Sequence, residues 1–247
     1  MTVWAVIGAV VIGLSLGLTG AGGSILTFPV LVYFGGLDPR SAVAVSLFVV
    51  GITAVVGAVQ RAAMGHVHIR AAGWFAMSGV MGAVVGARFT HLVPESVLIW
   101  VFAAVMVVVS VRMGLVKSAT AEPLPDCKPL RCFLAGAGVG VLTGFLGVGG
   151  GFLLLPALTR FARLPVAVAA GTSLAIIAVN ALGGFLGHVR HVEIDWMLAI
   201  LFAAVSVAAV LGGGKLAGRM NADVLRKVFA TVVLLTALGM VAGSWGQ

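Results

Sequence analysis

Apolar runs follow one another along almost the whole of this chain, at roughly 3–35, 41–60, 71–92, 96–115, 131–162, 165–188, 196–217 and 224–244. A helix needs ~20 apolar residues to cross the hydrocarbon core of a bilayer, and six of these runs have about that length. A soluble fold has no place for them. Of 247 residues, 61% are hydrophobic and 9% are charged, against about 25% charged in a soluble domain, so too little polar surface remains to face water. Lipid removes that difficulty, but it admits only helices and closed barrels, which satisfy their own backbone. A barrel would show alternating segments of about ten residues. These runs do not alternate, and they predict an all-α polytopic membrane protein.

Two runs, 3–35 and 131–162, are too long for one crossing, and both contain glycine clusters. Glycine in a helix interior costs about 1 kcal/mol relative to alanine, so a cluster marks a break. The clusters belong to an internal repeat. Gly22-Gly23-Ser24 through Pro29 aligns with Gly149-Gly150-Gly151 through Pro156. In the same register Ser46-Leu47 meets Ser173-Leu174, and Val97-Leu98 meets Val224-Leu225. With a two-residue slip, the stretch from His66 to Arg70 meets that from His191 to Asp195. The polar stretch containing Pro123, Pro125, Asp126 and Lys128 separates the halves. The predicted division is an N-terminal repeat (1–116), a linker (117–130) and a C-terminal repeat (131–247).

Charge predicts the topology. If each long run crossed once, the fifteen Lys and Arg residues would divide eight to seven between the two faces. If each entered and returned on one side as a re-entrant hairpin, they would divide twelve to three, leaving only Arg40, Arg88 and Arg190 on the poor side. Cytoplasmic loops carry the excess of positive charge. The prediction is therefore two inverted repeats, each a broken hairpin plus three transmembrane helices, with a cytoplasmic linker and both termini outside. Hairpin arms of about 16 and 12 residues would span roughly 24 and 18 Å, so the glycine tips stop inside the membrane. Interrupted helices meeting near the midplane of inverted repeats are a plan of secondary transporters. The N-terminus lacks a basic start and a small-residue cleavage site, and reads as part of the mature chain.

The tips carry the candidate chemistry. Gly22, Gly23, Ser24, Gly149, Gly150 and Gly151 would begin the returning helices. A helix start offers unpaired N–H groups and about half a positive charge, and glycine lets a ligand reach the backbone. Two facing starts make an anion site without a buried lysine. Ser46 and Thr53 share a face of the next helix, as do Thr172, Ser173 and Asn180 in the second half. Thr19 and Thr143 flank the clusters. These groups serve equally well as donors to a ligand or as packing contacts between helices.

What is missing narrows the choice. All seven acids, Asp38, Glu95, Glu122, Asp126, Glu193, Asp195 and Asp223, lie in or beside loops. That argues against carboxylate proton relays and metal-cation sites within the spans. The five histidines lie near span ends without a zinc-protease pattern, with Arg61 and His188 at matching mouths. No catalytic set, metal site or cofactor site is expected. The formal charge of +8 reflects topology, with no basic stripe interleaved with aromatics for nucleic acid. Cys127 and Cys132 are expected to be free thiols in a polar loop.

The paired motifs Gly20-x-Gly22-Gly23-Ser24…Pro29 and Gly147-x-Gly149-Gly150-Gly151…Pro156 resemble those of the sulfite exporter TauE/SafE family, also called the 4-toluene sulfonate uptake permease family. Gly171-Thr172-Ser173-Leu174 and its partner Ala44-Val45-Ser46-Leu47 add to the likeness, which covers 5 to 243. The resemblance implies transport of sulfite, sulfonates or related anions across a bacterial inner membrane. Ala44-Val45 in place of Gly171-Thr172 implies an asymmetric site. The expectation is an exporter of small sulfur oxyanions, with lipid around it and a homodimer allowed. An anion channel, an uptake permease for another organic anion and a membrane-embedded enzyme are the alternatives.

Overall fold

The computed structural model describes residues 3–33, 35–90, 95–115, 129–146, 151–189 and 194–244. Every regular element among them is an α-helix: α1 (Val3–Thr19), α2 (Gly23–Tyr33), α3 (Pro39–Ala63), α4 (Ile69–Thr90), α5 (Glu95–Leu115), α6 (Pro129–Leu146), α7 (Gly151–Phe161), α8 (Val166–His188), α9 (Trp196–Ala217) and α10 (Ala222–Ser244). Among the described residues, four stretches are long and apolar enough to cross a membrane: Ser41–Ala63, Ile69–Gly86, Val166–Leu186 and Trp196–Ala217. The helices α5 and α10 run for 21 and 23 residues.

Local chemistry places the helix ends. The Asp38 carboxylate accepts from the Ser41 N–H at 3.1 Å, just ahead of α3. His68 Nδ1 accepts from the Ala71 N–H at 3.1 Å, and Asp195 Oδ1 from the Leu198 N–H at 3.0 Å. Each occupies a first-turn N–H that the helix cannot satisfy itself. One constant interval separates the starts of α3 and α8, of α4 and α9, and of α5 and α10, and also the ends of α1 and α6. His68 and Asp195 are thus the same cap in the two halves. The expected two-residue slip, which sets His68 opposite Glu193, is not needed there.

The first break forms as the glycines predict. Gly20 ends α1 with φ +74, and its N–H bonds to Leu16 O at 2.8 Å, a left-handed helix stop that glycine adopts without strain. The chain then folds back, so that Gly23 lies against Ile12 and Leu16, and Gly8 against Val30. The returning helices α2 and α7 each have 11 residues, about 17 Å, well short of a ~30 Å core. Their partners α1 and α6 have 17 and 18.

Packing pairs each half with the other. Along α3 and α8, Leu47 meets Gly184, Gly51 meets Leu182, Gly57 meets Leu174 and Arg61 meets Gly171, so the two helices run antiparallel. Helices α1 and α9 run parallel, with Gly13 against Ser206 and Gly17 against Val210. Helices α6 and α4 do the same, with Gly136 against Phe75 and Gly140 against Gly79. At Gly13, Gly17, Gly136 and Gly140 a Cβ would overlap backbone of the facing helix. Lipid offers no hydrophobic drive for helix association, so close contact through small residues takes its place. Hydrogen bonds from Ser206 Oγ to Ala9 O at 3.1 Å and from Ser110 Oγ to Ala230 O at 2.7 Å fasten α9 to α1 and α5 to α10.

The cysteine expectation is corrected. Cys132 lies inside α6, is fully buried and is disulfide-bonded. The only other cysteine, Cys127, and most of the linker lie outside the described residues. Helix α6 begins at Pro129, three residues before Cys132, and so takes the cysteine in.

Overpacking a tight contact costs typically about 1–3 kcal/mol. Gly17→Leu is therefore expected to lower the thermal midpoint in detergent by about 5 °C. Gly212→Leu, on α9 where a Cβ meets nothing within 4 Å, should leave it unchanged. Equal midpoints would show that the α1–α9 contact is not stabilised by its glycines.

Candidate functional site

Breaking a helix at membrane depth exposes N–H and C=O groups that lipid cannot satisfy. Three side chains satisfy them at the first break. Thr19 Oγ1 accepts from the Gly22 N–H at 2.9 Å while donating to Ser15 O at 2.7 Å. Arg61, in the last turn of α3, donates from Nη2 to Gly17 O at 2.8 Å. Gly17 O is one of the last four carbonyls of α1, which find no N–H within the helix. Ser173, on α8, has Oγ at 2.9 Å from both Gly20 O and Ala170 O. Residues from α1, α3 and α8 therefore hold one irregular segment. Gly20 is forced by this seat as well as by its φ, since a Cβ there would strike the Ala170 backbone.

The two returning helices start against each other. A Cβ on Gly151, the first residue of α7, would stand 2.5 Å from Ser24 Oγ, 2.9 Å from Ile177 and 3.3 Å from Ala21 O. Thus the start of α7 touches the start of α2 beside α8. Gly22, Gly23 and Gly151 are buried, and Ser24 is half-buried. The Ser24 hydroxyl donates to Ala21 O at 3.0 Å, so its proton is engaged within its own turn. Gly149 and Gly150 lie outside the described residues.

The polar stripe divides in two. Thr172 and Ser173 are fully buried and committed to structure, for Thr172 Oγ1 accepts from the His68 N–H at 3.0 Å. Ser46 is half-buried and donates to Val43 O, one turn back. Thr53 does the same to Val49 O. Asn180 differs. It lies one turn beyond Ile177 on α8, and its Oδ1 is buried with no partner among the described residues. Ser15 Oγ is likewise buried and unpartnered, facing Gly22. Two orphan polar atoms near one junction leave bonding capacity for something else.

Sequence reasoning missed Ser15 and the depth of Arg61. The arginine is 1% exposed, with Nε and Nη1 unpartnered among the described residues. The readable signal is its place one turn from the end of a span whose neighbour α1 terminates early. The three acids whose side chains are described, Asp38, Asp195 and Asp223, are all exposed. None approaches the junction. Among the described residues there is no cluster of His, Cys, Asp or Glu that could hold a metal ion.

Ser173→Ala would leave Gly20 O without its side-chain donor. An unsatisfied buried group costs about 1–3 kcal/mol. Thr53→Val removes a hydroxyl that bonds only its own helix and should cost less. Denaturation of the two variants in detergent checks this, and equal losses would remove Ser173 as the support of the break.

The profile of the family described as "Sulfite exporter TauE/SafE" matches residues 5–240. A "Probable membrane transporter protein" of Xylella fastidiosa (strain 9a5c) is 33% identical over 246 residues, which cover 96% of this chain and 93% of that protein. A "Probable membrane transporter protein YunE" of Bacillus subtilis (strain 168) is 26% identical over 94% of this chain and 93% of its own length. A similarly named protein of Methanocaldococcus jannaschii is 25% identical over 94% and 90%. Broken helices, apolar spans and a match over nearly the whole length agree: the chain is a multi-pass membrane protein of the sulfite exporter TauE/SafE family, among relatives named as probable membrane transporters.

Proposed function

We propose that this protein is a secondary transporter exporting sulfite or a related small organosulfonate across the bacterial inner membrane. The observation that carries the reading is the junction of α2 and α7, where Gly151 meets Ser24 and Ala21. Two helix starts converge there with their partial positive charges. The anion is held by N–H groups of Gly22, Gly23, Ser24, Gly149, Gly150 and Gly151, each in turn as the tips move, with Asn180 and the hydroxyls of Ser46, Thr172 and Ser173 as further donors. Thr172, Ser173 and the Gly22 N–H reach a ligand only by giving up present bonds. Gly23, Ser24, Gly151 and Asn180 are therefore the principal contacts.

The arrangement supports inverted repeats, 1–116 and 131–247, joined by a cytoplasmic linker at 117–130. Antiparallel α3 and α8, and the matching α1–α9 and α6–α4 contacts, are what a two-fold axis in the membrane plane would produce. The positive charges, twelve to three, favour a linker inside and both termini in the periplasm. The Cys132 disulfide pulls the other way, since such bonds persist in oxidising compartments. Twelve charges spread over several loops outweigh one bond. Access then alternates as the halves rock about the tips.

Direction follows from charge. The membrane potential is worth about 2.3 kcal/mol per 100 mV for one charge, enough to sustain about a fiftyfold gradient. A monoanion leaving a negative cytoplasm needs no coupled ion. Proteoliposomes loaded with sulfite are expected to release it faster when the inside is made negative, with saturation and counterflow. Gly151→Leu, which fills the junction, should reduce release to that of protein-free liposomes while the protein elutes unchanged in detergent. Release that is indifferent to voltage would reject electrogenic export, and release without saturation would point to a channel. Normal flux in the variant would reject the junction as the site.

A further inference from the structure

An open groove of about 730 Å³ lies where the α6–α7 hairpin enters and leaves. It has two kinds of wall. Arg131, in the first turn of α6, and Arg160 and Arg163, at the end of α7, supply three guanidinium groups. Leu134, Val139 and Leu142 continue an apolar strip along α6, running about 16 Å from Arg131 to Leu142 at 1.5 Å per residue. The strip faces outward, for Leu134 is 62% exposed and Leu142 is 40% exposed.

The arginines are exposed, and among the described residues they have no acidic partner; the ion pair present there joins Arg226 to Asp223. Arg163 also holds the left-handed backbone, φ 53, with the Leu164 N–H returning to Leu158 O at 3.2 Å. Glycine is the usual residue at such a helix stop, so an arginine is placed there against its backbone preference. Three exposed cations beside an exposed apolar strip match one class of molecule in a membrane.

We propose that this groove binds an anionic phospholipid, the phosphate on Arg131, Arg160 and Arg163 and an acyl chain along Leu134, Val139 and Leu142. Charge complementarity selects the headgroup, because guanidinium groups pair with phosphate oxygens in a bidentate fashion. The strip selects a lipid over a soluble anion, which would use the cations and leave the apolar wall uncovered. Bound lipid bridges α6 to the end of α7 and so steadies the second hairpin. This assignment is independent of the junction between α2 and α7.

Native mass spectrometry of the purified protein in detergent tests it, with phosphatidylglycerol, phosphatidylcholine and inorganic phosphate as probes. Wild type should retain phosphatidylglycerol in preference to phosphatidylcholine, and phosphate should not displace it. Each arginine at an anionic surface is worth about a fivefold change in binding. The triple variant Arg131→Gln, Arg160→Gln, Arg163→Gln should therefore lose about a hundredfold. A charge-matched variant elsewhere, Lys215→Gln, Arg219→Gln, Lys227→Gln, should retain the lipid. Gly138→Leu fills the strip without touching the arginines, since a Cβ there meets nothing within 4 Å, and should also weaken retention. Equal loss in the two triple variants, equal retention of the two lipids, displacement by phosphate or full retention in Gly138→Leu would each overturn the proposal. So would a dimer abolished by the groove variant with lipid retention unchanged.

Discussion

An interrupted helix inside a bilayer must have its loose backbone groups satisfied by protein, because no water is there to do it. The rest of this structure is arranged around that requirement. The segment between α1 and α2 is held by Thr19 from its own helix, Arg61 from α3 and Ser173 from α8. A charged side chain is 1% exposed in this apolar protein because it meets the negative end of α1, where its charge opposes the helix dipole. The break is thus a shared property of three helices, and it fixes where the returning helix begins.

Glycine faces set the spacing that makes this possible. On α1 and α6 they bring α9 and α4 to backbone contact, so each hairpin is clamped to a span from the opposite half. Antiparallel α3 and α8 form the centre, and Gly20 and Gly151 of the two hairpins both rest on α8. The consequence for function is positional. The start of α2 and the start of α7 come together in the interior, while the described acids stay at the exposed loops. Helix starts brought together away from the described carboxylates suit an anion better than a cation.

Much of the helix plan was legible because lipid makes the code simple: apolar length gives spans, and glycine clusters give breaks. The repeat register was legible too, except at His68. There the aligned histidine letters misled, while the capping function set His68 opposite Asp195. The roles of the polar residues were less legible. Ser173 reads as a donor toward a ligand, yet its partner is a carbonyl 153 residues away in sequence. Thr172 likewise anchors the loop before α4. One sequence gives the faces of a helix but not which facing backbone is unsatisfied. Arg61 reads as a residue at a span mouth, and only the early end of α1 draws it inward. Cys132 reads as loop, and the helix start at Pro129 takes it into the core.

The central claim concerns one place, the meeting of the α2 and α7 starts. Selenite, a heavier analogue of sulfite, can be located there by its anomalous scattering in crystals of the protein grown with the anion. The account predicts a selenium peak within hydrogen-bonding distance of the N–H groups of Gly23, Ser24 or Gly151, with Asn180 nearby. A peak confined to the surface arginines, with the junction closed and empty of anion at saturating selenite, would contradict it.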